Sequence, residues 1–245
     1  MIRDLRYGFS FVIVLGCLGV ARAQVASGGL EGLPKLDGEW KILHADKGKA
    51  QMTGQALRIV PETGTNLILS PSRSYNVMTA PMVLADAQGD FTLVAKVSAQ
   101  MGGVYDSGAL VVYSDDKNWA KLCFENSPQH EATIISVVTR EWSDDVNSET
   151  VASPFVYLAV ARKGNEFSFH FSRDGRDWRL VRHFDMPIGS KTQIGFSAQT
   201  PHIAAFAQTG EKIQFAALFS EIRFVPTAPR DMRQLEAAAI APIGK

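Results

Sequence analysis

The side chains with most chemistry to offer stand at alternate positions along Trp119-Ala120-Lys121-Leu122-Cys123-Phe124-Glu125. Successive side chains of a strand point to opposite faces. Ala120, Leu122 and Phe124 can therefore cover a core, while Trp119, Lys121, Cys123 and Glu125 share the other face. Such a row suits sugars: an aromatic ring packs on the C–H face of a pyranose and charged groups take its hydroxyls. Lys121 and Glu125 lie too far apart along the strand for a snug pair unless a neighbour such as Arg140 bridges them. The candidate ligand-binding set is Asp106, Trp119, Lys121, Glu125, Arg140 and Trp142, with Asp106 and Trp142 reaching in from flanking loops. The bland alternative is a solvated face whose charges blunt aggregation.

Cleavage of a glycosidic bond would need two carboxyls about 5–9 Å apart, one with a raised pKa. Glu125 is one candidate, and Asp106 or Asp145 the other. The acidic strand motif of concanavalin-like glucanases (Glu, Asp and Glu on alternate positions) is absent, so no catalytic residue is assigned. Ser172-Arg173-Asp174-Gly175-Arg176-Asp177-Trp178 resembles the Asp-box turns of sialidase-like β-proteins, one residue short. Its physical role is a turn: Asp174 holds backbone amides, Gly175 takes positive φ and Trp178 plugs the core. Ser143-Asp144-Asp145 with Asn147 offers oxygen ligands, but the spacing fits no calcium loop. His44, His130, His170, His183 and His202 show no metal-ligand spacing. His170 lies on the polar side of a strand, either exposed or joined to the candidate surface. No phosphate-cradling loop, zinc motif or nucleophile elbow is present, so neither metal nor cofactor is expected.

These residues need strands to place them, and strands are what the pattern gives. Ala50–Met52 and Ala56–Val60 flank Thr53-Gly54, a hairpin signal. Phe91, Leu93, Ala95 and Val97 alternate with polar neighbours. Gly108–Ser114 and Trp119–Glu125 are joined by the polar Asp115-Asp116-Lys117-Asn118, and Thr133–Arg140 follows. Residues 141–153 read as a polar insertion. Beyond it come Phe155–Arg162, Glu166–Ser172, Trp178–Phe184, Gln193–Ala198 and Lys212–Phe224. In Glu166–Ser172, Phe167, Phe169 and Phe171 point one way and His170 the other. About a dozen short strands with regular turns predict an all-β sandwich or jelly roll.

The stretch Tyr105–Arg140, with YDSGALVVYSDDKNWAKLCFE at its head, resembles the uncharacterised concanavalin A-like family named after regulation of enolase protein (domain of unknown function 1349). The resemblance continues through Ser136–Arg140, Leu158–Arg162 and Phe171–Trp178 and closes at Phe219–Phe224. It implies a concanavalin A-like jelly roll of two curved antiparallel sheets over residues 38–225 and supplies no catalytic residues. The chain departs from the family pattern at Glu141, where glycine is common, and in a longer loop over Trp142–Thr150.

The ends add a compartment. Arg3 and Arg6 precede an uncharged run from Phe9 to Val20, and Ala21-Arg22-Ala23 is a small-x-small cleavage site, so residues 1–23 read as an export signal. The run is too short for a comfortable membrane span. A rival reading makes Val14-Leu15-Gly16-Cys17 a lipoprotein box, with Cys17 carrying the lipid. Residues 24–37 read as a linker. The tail, 226–245, holds a short helix pattern over Asp231–Ala239 with Asp231 as its cap. Cleavage leaves 22 basic and 24 acidic side chains, a net charge of −2, with no general attraction to nucleic acid or anionic lipid. Only Cys123 then remains, and a lone thiol forms no internal disulfide.

The expectation is a periplasmic or secreted protein that recognises a glycan, or another extracytoplasmic ligand, on a concave sheet. The alternatives are a glycoside hydrolase of the concanavalin-like class and an envelope module that binds a protein partner.

Overall fold

The computed structural model describes residues 25–26, 29–186, 192–201 and 215–237; residues 1–23, which were read as an export signal and include Cys17, and His202 lie outside them. In chain order the strands are β1 (Val25–Ala26), β2 (Lys41–Leu43), β3 (Gly48–Thr53), β4 (Ala56–Pro61), β5 (Leu67–Leu69), β6 (Asn76–Met78), β7 (Met82–Asp86), β8 (Phe91–Ala99) and β9 (Ser107–Asp115). They continue as β10 (Asn118–Asn126), β11 (Ala132–Arg140), β12 (Trp142–Thr150), β13 (Phe155–Lys163), β14 (Glu166–Ser172), β15 (Trp178–Asp185), β16 (Gln193–Gln199) and β17 (Ala217–Val225). Among the described residues there is no α-helix.

Two antiparallel sheets face each other, the sandwich that the strand pattern and the family resemblance both imply. One runs β1-β2-β7-β16-β9-β10-β11-β12 and the other β15-β14-β13-β8-β17-β4-β3. The core between them takes one parity of the central strands of each sheet. Phe91, Leu93 and Val97 of β8 and all three phenylalanines of β14 share it with Leu110 and Val112 of β9 and Leu122 and Phe124 of β10. Gly108 permits close approach of the sheets, since a Cβ there would meet Ala217 and Val97 at 2.9 Å.

Each sheet also carries a cover on its outer face. A small hairpin, β5–β6, lies over the eight-stranded sheet. It encloses a second apolar cluster of Leu67, Met82, Val111, Trp119, Cys123 and Val137. The seven-stranded sheet is covered by the tail, where Leu235 packs with Val94, Ala159 and Trp178.

Several sequence expectations change here. The supposed insertion after Arg140 is strand β12, registered on β11 from Arg140↔Trp142 to Thr133↔Thr150. It escaped notice because it is an edge strand that exposes both faces for most of its length, so it has no reason to alternate. Glu141 makes the tight turn at φ 66, in the left-handed region that favours glycine, the residue that the family resemblance leads one to expect there. The supposed linker contributes β1, which pairs with β2, and buries Leu30 and Leu33 in the core. The described part of the tail forms a turn rather than a helix, with Gln234 N donating to Asp231 O at 3.0 Å. The Asp231 carboxylate does accept from Arg233 N, at 2.9 Å, in the manner of a cap.

Candidate functional site

The outer face of the eight-stranded sheet is apolar under the hairpin and polar beside it. There a pocket of about 510 Å³ opens, within the ~300–1,000 Å³ usual for small-molecule sites. Its floor is the other end of the predicted row. Lys121 and Glu125 of β10 stand on the same face, 3% and 5% exposed, flanked by Ile135 and Val137 of β11. Lys121 Nζ donates to Gln199 Oε1 of β16 at 2.8 Å, and Gln199 Nε2 donates to the Tyr105 carbonyl at 3.3 Å. An ammonium carries three donors, and Gln199 uses one of them.

Burial pushes the Glu125 carboxyl up to about 7. The Lys121 charge and the Ser107 hydroxyl pull it back, and the charges of Asp145 and Asp106 add to the rise. Near neutral pH this group can give or accept a proton, which no exposed carboxylate does readily. Cys123, between the two on the same face, is fully buried and its thiol is pushed up to about 12. It is a packing residue, not a nucleophile.

The rim comes from loops and from the edge strand. Tyr75 ends the β5–β6 connection and Tyr105 precedes β9; both line the pocket, 48% and 43% exposed. The Tyr75 loop is stiffened by contacts from Ser70 to Ser72 and from Ser72 to Ser74, each 2.7 Å between hydroxyl oxygens. Tyr105 sits at φ 68, a strained conformation for a bulky residue. It is held there by a hydrogen bond from its N–H to Asn126 O at 2.7 Å. Asn66 and Ile68 come from the hairpin, Asp145 and Asn147 from β12, and Pro128 from the turn after β10.

The six residues expected to bind ligand separate accordingly. Lys121 and Glu125 reach the pocket. Trp119 is on their face, but it is 0% exposed beneath the hairpin and has no ring face left for a ligand. Asp106 is fully buried; its Oδ2 accepts from Gly102 and Gly103 N–H at 3.0 and 2.7 Å, shaping the loop that carries Tyr105. Arg140 falls on the other parity of β11, with Ile134 and Val138 of the inner core, and emerges exposed at the strand end. It cannot bridge Lys121 and Glu125. Trp142 lines a separate hollow with Leu69, Asn76 and Lys117, where the Arg73 guanidinium lies 5.1 Å from its ring centre.

His170 is neither exposed nor near the pocket. It is fully buried under the tail on the opposite sheet, with Nε2 3.0 Å from Ser168 Oγ and 3.1 Å from Met232 O. The Asp174 turn forms as expected: Oδ1 accepts from Arg176 and Asp177 N–H at 2.8 and 2.9 Å, and Gly175 has φ 76. These bonds hold the Asp174 carboxyl down to about 2. Trp178, however, does not plug the core: it is half-buried on the outer face beside Leu235. Among the described residues no cluster of His, Cys, Asp and Glu could hold a metal ion, and no helix is long and apolar enough to cross a membrane.

Tyr75, Tyr105, Gln199 and Asn66 were missed from the sequence. The signal for the tyrosines was there: Pro71-Ser72-Arg73-Ser74-Tyr75 and Gly102-Gly103-Val104-Tyr105 put an aromatic ring in a polar or glycine-rich turn that cannot bury it.

The match to the family of unknown function DUF1349 runs over residues 43–218, most of the described sandwich. The chain belongs to that family. Among solved structures, a functionally unknown protein from Saccharomyces cerevisiae is 21% identical, with a TM-score of 0.65 over 76% of this chain and 98% of that one. A xylan beta-1,4-xylosidase from Bacillus halodurans C-125 is 13% identical, with a TM-score of 0.57 over 83% of this chain and 39% of that protein. The GH43 protein BlXynB from Bacillus licheniformis is 16% identical, with a TM-score of 0.56 over 76% of this chain and 36% of that protein. At these identities the likeness shows the fold alone, a two-sheet antiparallel sandwich, and this DUF1349 chain spans well under half of the latter two proteins. No curated protein sequence matches it.

Proposed function

We propose that this DUF1349 protein is exported and binds a glycan, without chemistry, in the outer-face pocket. One observation carries the reading: two exposed tyrosine rings, Tyr75 and Tyr105, stand over a floor of buried, hydrogen-bonding Lys121, Glu125 and Gln199. Rings that gain by covering C–H faces, beside groups fixed to meet hydroxyls, are what a sugar requires. Export rests on the basic, apolar and small-x-small pattern of residues 1–23.

The test is an oligosaccharide and polysaccharide array probed with residues 24–245, beside the Tyr75→Ala, Tyr105→Ala double variant. Xylan and xylo-oligosaccharides are included because one fold relative is named a xylan beta-1,4-xylosidase. Binding that the variant loses supports the reading. Binding that the variant keeps puts the site elsewhere, and no binding to any sugar removes it.

A hydrolytic reading has its own support, the near-neutral Glu125 carboxyl sharing a pocket with Asp145. Glu125→Gln decides between the two. Turnover lost with binding retained makes the protein a glycoside hydrolase, whereas a wild-type protein that binds and never cleaves is a binding module.

A further inference from the structure

We infer that the pocket takes the end of a glycan chain, about one or two sugar units deep, rather than the interior of a long one. The inference rests on the glycan reading above and deepens it. A polysaccharide bound by its middle needs an open groove with two exits, whereas a terminus needs one.

The β5–β6 hairpin acts as a bar across the sheet. On one side it is tied beyond β16, where Gly64 N donates to Thr200 O at 2.9 Å and Thr200 N donates to Thr65 Oγ1 at 3.3 Å. On the other it is tied to the edge strand, where Leu69 N donates to Ser143 Oγ of β12 at 3.0 Å. Ser143 is itself fixed 2.9 Å from Thr139 Oγ1 of β11. Between these two ties lie β9, β10 and β11. Beneath the bar Trp119, Val111 and Thr139 are all fully buried, so nothing can run along β10 past Lys121 in that direction.

The opposite end of β10 is walled as well. Tyr105 and Pro128 line the pocket there, from the loops on either side of the Ser107↔Glu125 pairing. Pro201 stands on the β16 side. The low side is β12, whose pocket-lining Asp145 and Asn147 belong to an exposed edge strand. Among the described residues the pocket is thus a bowl with one polar entrance. Its 510 Å³ suits a small saccharide, being in the lower part of the ~300–1,000 Å³ range of small-molecule sites.

The experiment uses the unmodified protein and matched glycan pairs. Each polysaccharide on the array is presented intact and after partial acid hydrolysis, at equal mass, so that only the number of chain ends differs. Soluble oligomers of increasing length then compete for the bound protein. Expected are a several-fold gain in binding on hydrolysis and competition that stops improving at about two units. Signal that follows mass rather than ends, or affinity that keeps rising with length, overturns end recognition and leaves the glycan reading standing. No binding to any array member overturns both. The Tyr105→Ala variant assigns the signal to this pocket, and end-dependent binding that it leaves unchanged also counts against the inference.

Discussion

The two outer faces of this sandwich began with the same sequence signature and ended differently. β10 and β14 each alternate core residues with polar ones, and on each strand the polar row was readable as a working surface. Over β10 the cover is a hairpin that stops short, burying Trp119 and leaving Lys121 and Glu125 at the floor of a pocket. Over β14 the cover is the tail, which sits on His170 through the Met232 carbonyl and encloses it completely. Alternation assigns a side chain to a face; what lies on that face decides whether it works or only packs.

The largest expected effect separates Trp119 from the pocket. Trp119→Ala should cost about 3–5 kcal/mol, the usual loss for a fully buried large side chain, measured by urea denaturation. Trp119→Phe should cost about 1–2 kcal/mol and keep ligand affinity within about twofold. A Trp119→Phe protein that folds but no longer binds would restore the indole as a ligand contact and erase the contrast.

The two faces should next respond to pH with opposite sign. Burial raises the Glu125 carboxyl from 4.5 to about 7, so the folded protein holds a proton that the unfolded chain gives up. Stability from this group is full below pH 4.5 and is lost as pH rises through about 7, by ~3 kcal/mol. Burial lowers the His170 imidazole from 6.5 to about 4. That contribution is present above pH 6.5 and is lost as pH falls through about 4, with similar size. In the wild type the slopes oppose each other between them. Denaturation across this range should show stability rising with pH in Glu125→Gln and falling with pH in His170→Asn. Parallel profiles in the two variants would mean that at least one of these groups is not enclosed as described.

Smaller changes concern the rim. Tyr75→Ala and Tyr105→Ala should each weaken glycan binding about tenfold, ~1.4 kcal/mol, while shifting stability by no more than about 0.5 kcal/mol. Calorimetry and thermal melting read the two quantities separately. In the opposite direction, Tyr105→Gly should stabilise the fold by about 0.5–1 kcal/mol by relieving the φ 68 backbone, and still lose ligand. A loss of stability instead would show that the ring itself holds the loop.

Much of this was legible in the chain. Strand alternation placed Lys121, Glu125 and Trp119 on one face, and the motif order from Tyr105 to Trp178 pointed to the right family. The Asp174 turn was fixed by its own residues, because its hydrogen bonds span only a few positions. Period-two alternation and short-range turn chemistry are local, so the sequence states them directly.

Other features were decided only by the fold. Trp119 is buried because Leu67 arrives from far upstream to cover it, and Lys121 is anchored because Gln199 arrives from far downstream. Arg140 leaves the site by parity once β11 is in register, and β12 shows no pattern because an edge has no buried face to enforce one. Tyr75 and Tyr105 line the same pocket although they stand 30 residues apart in the chain. What depends on neighbours along the chain was written in it; what depends on contacts between distant segments exists only once those segments have packed together.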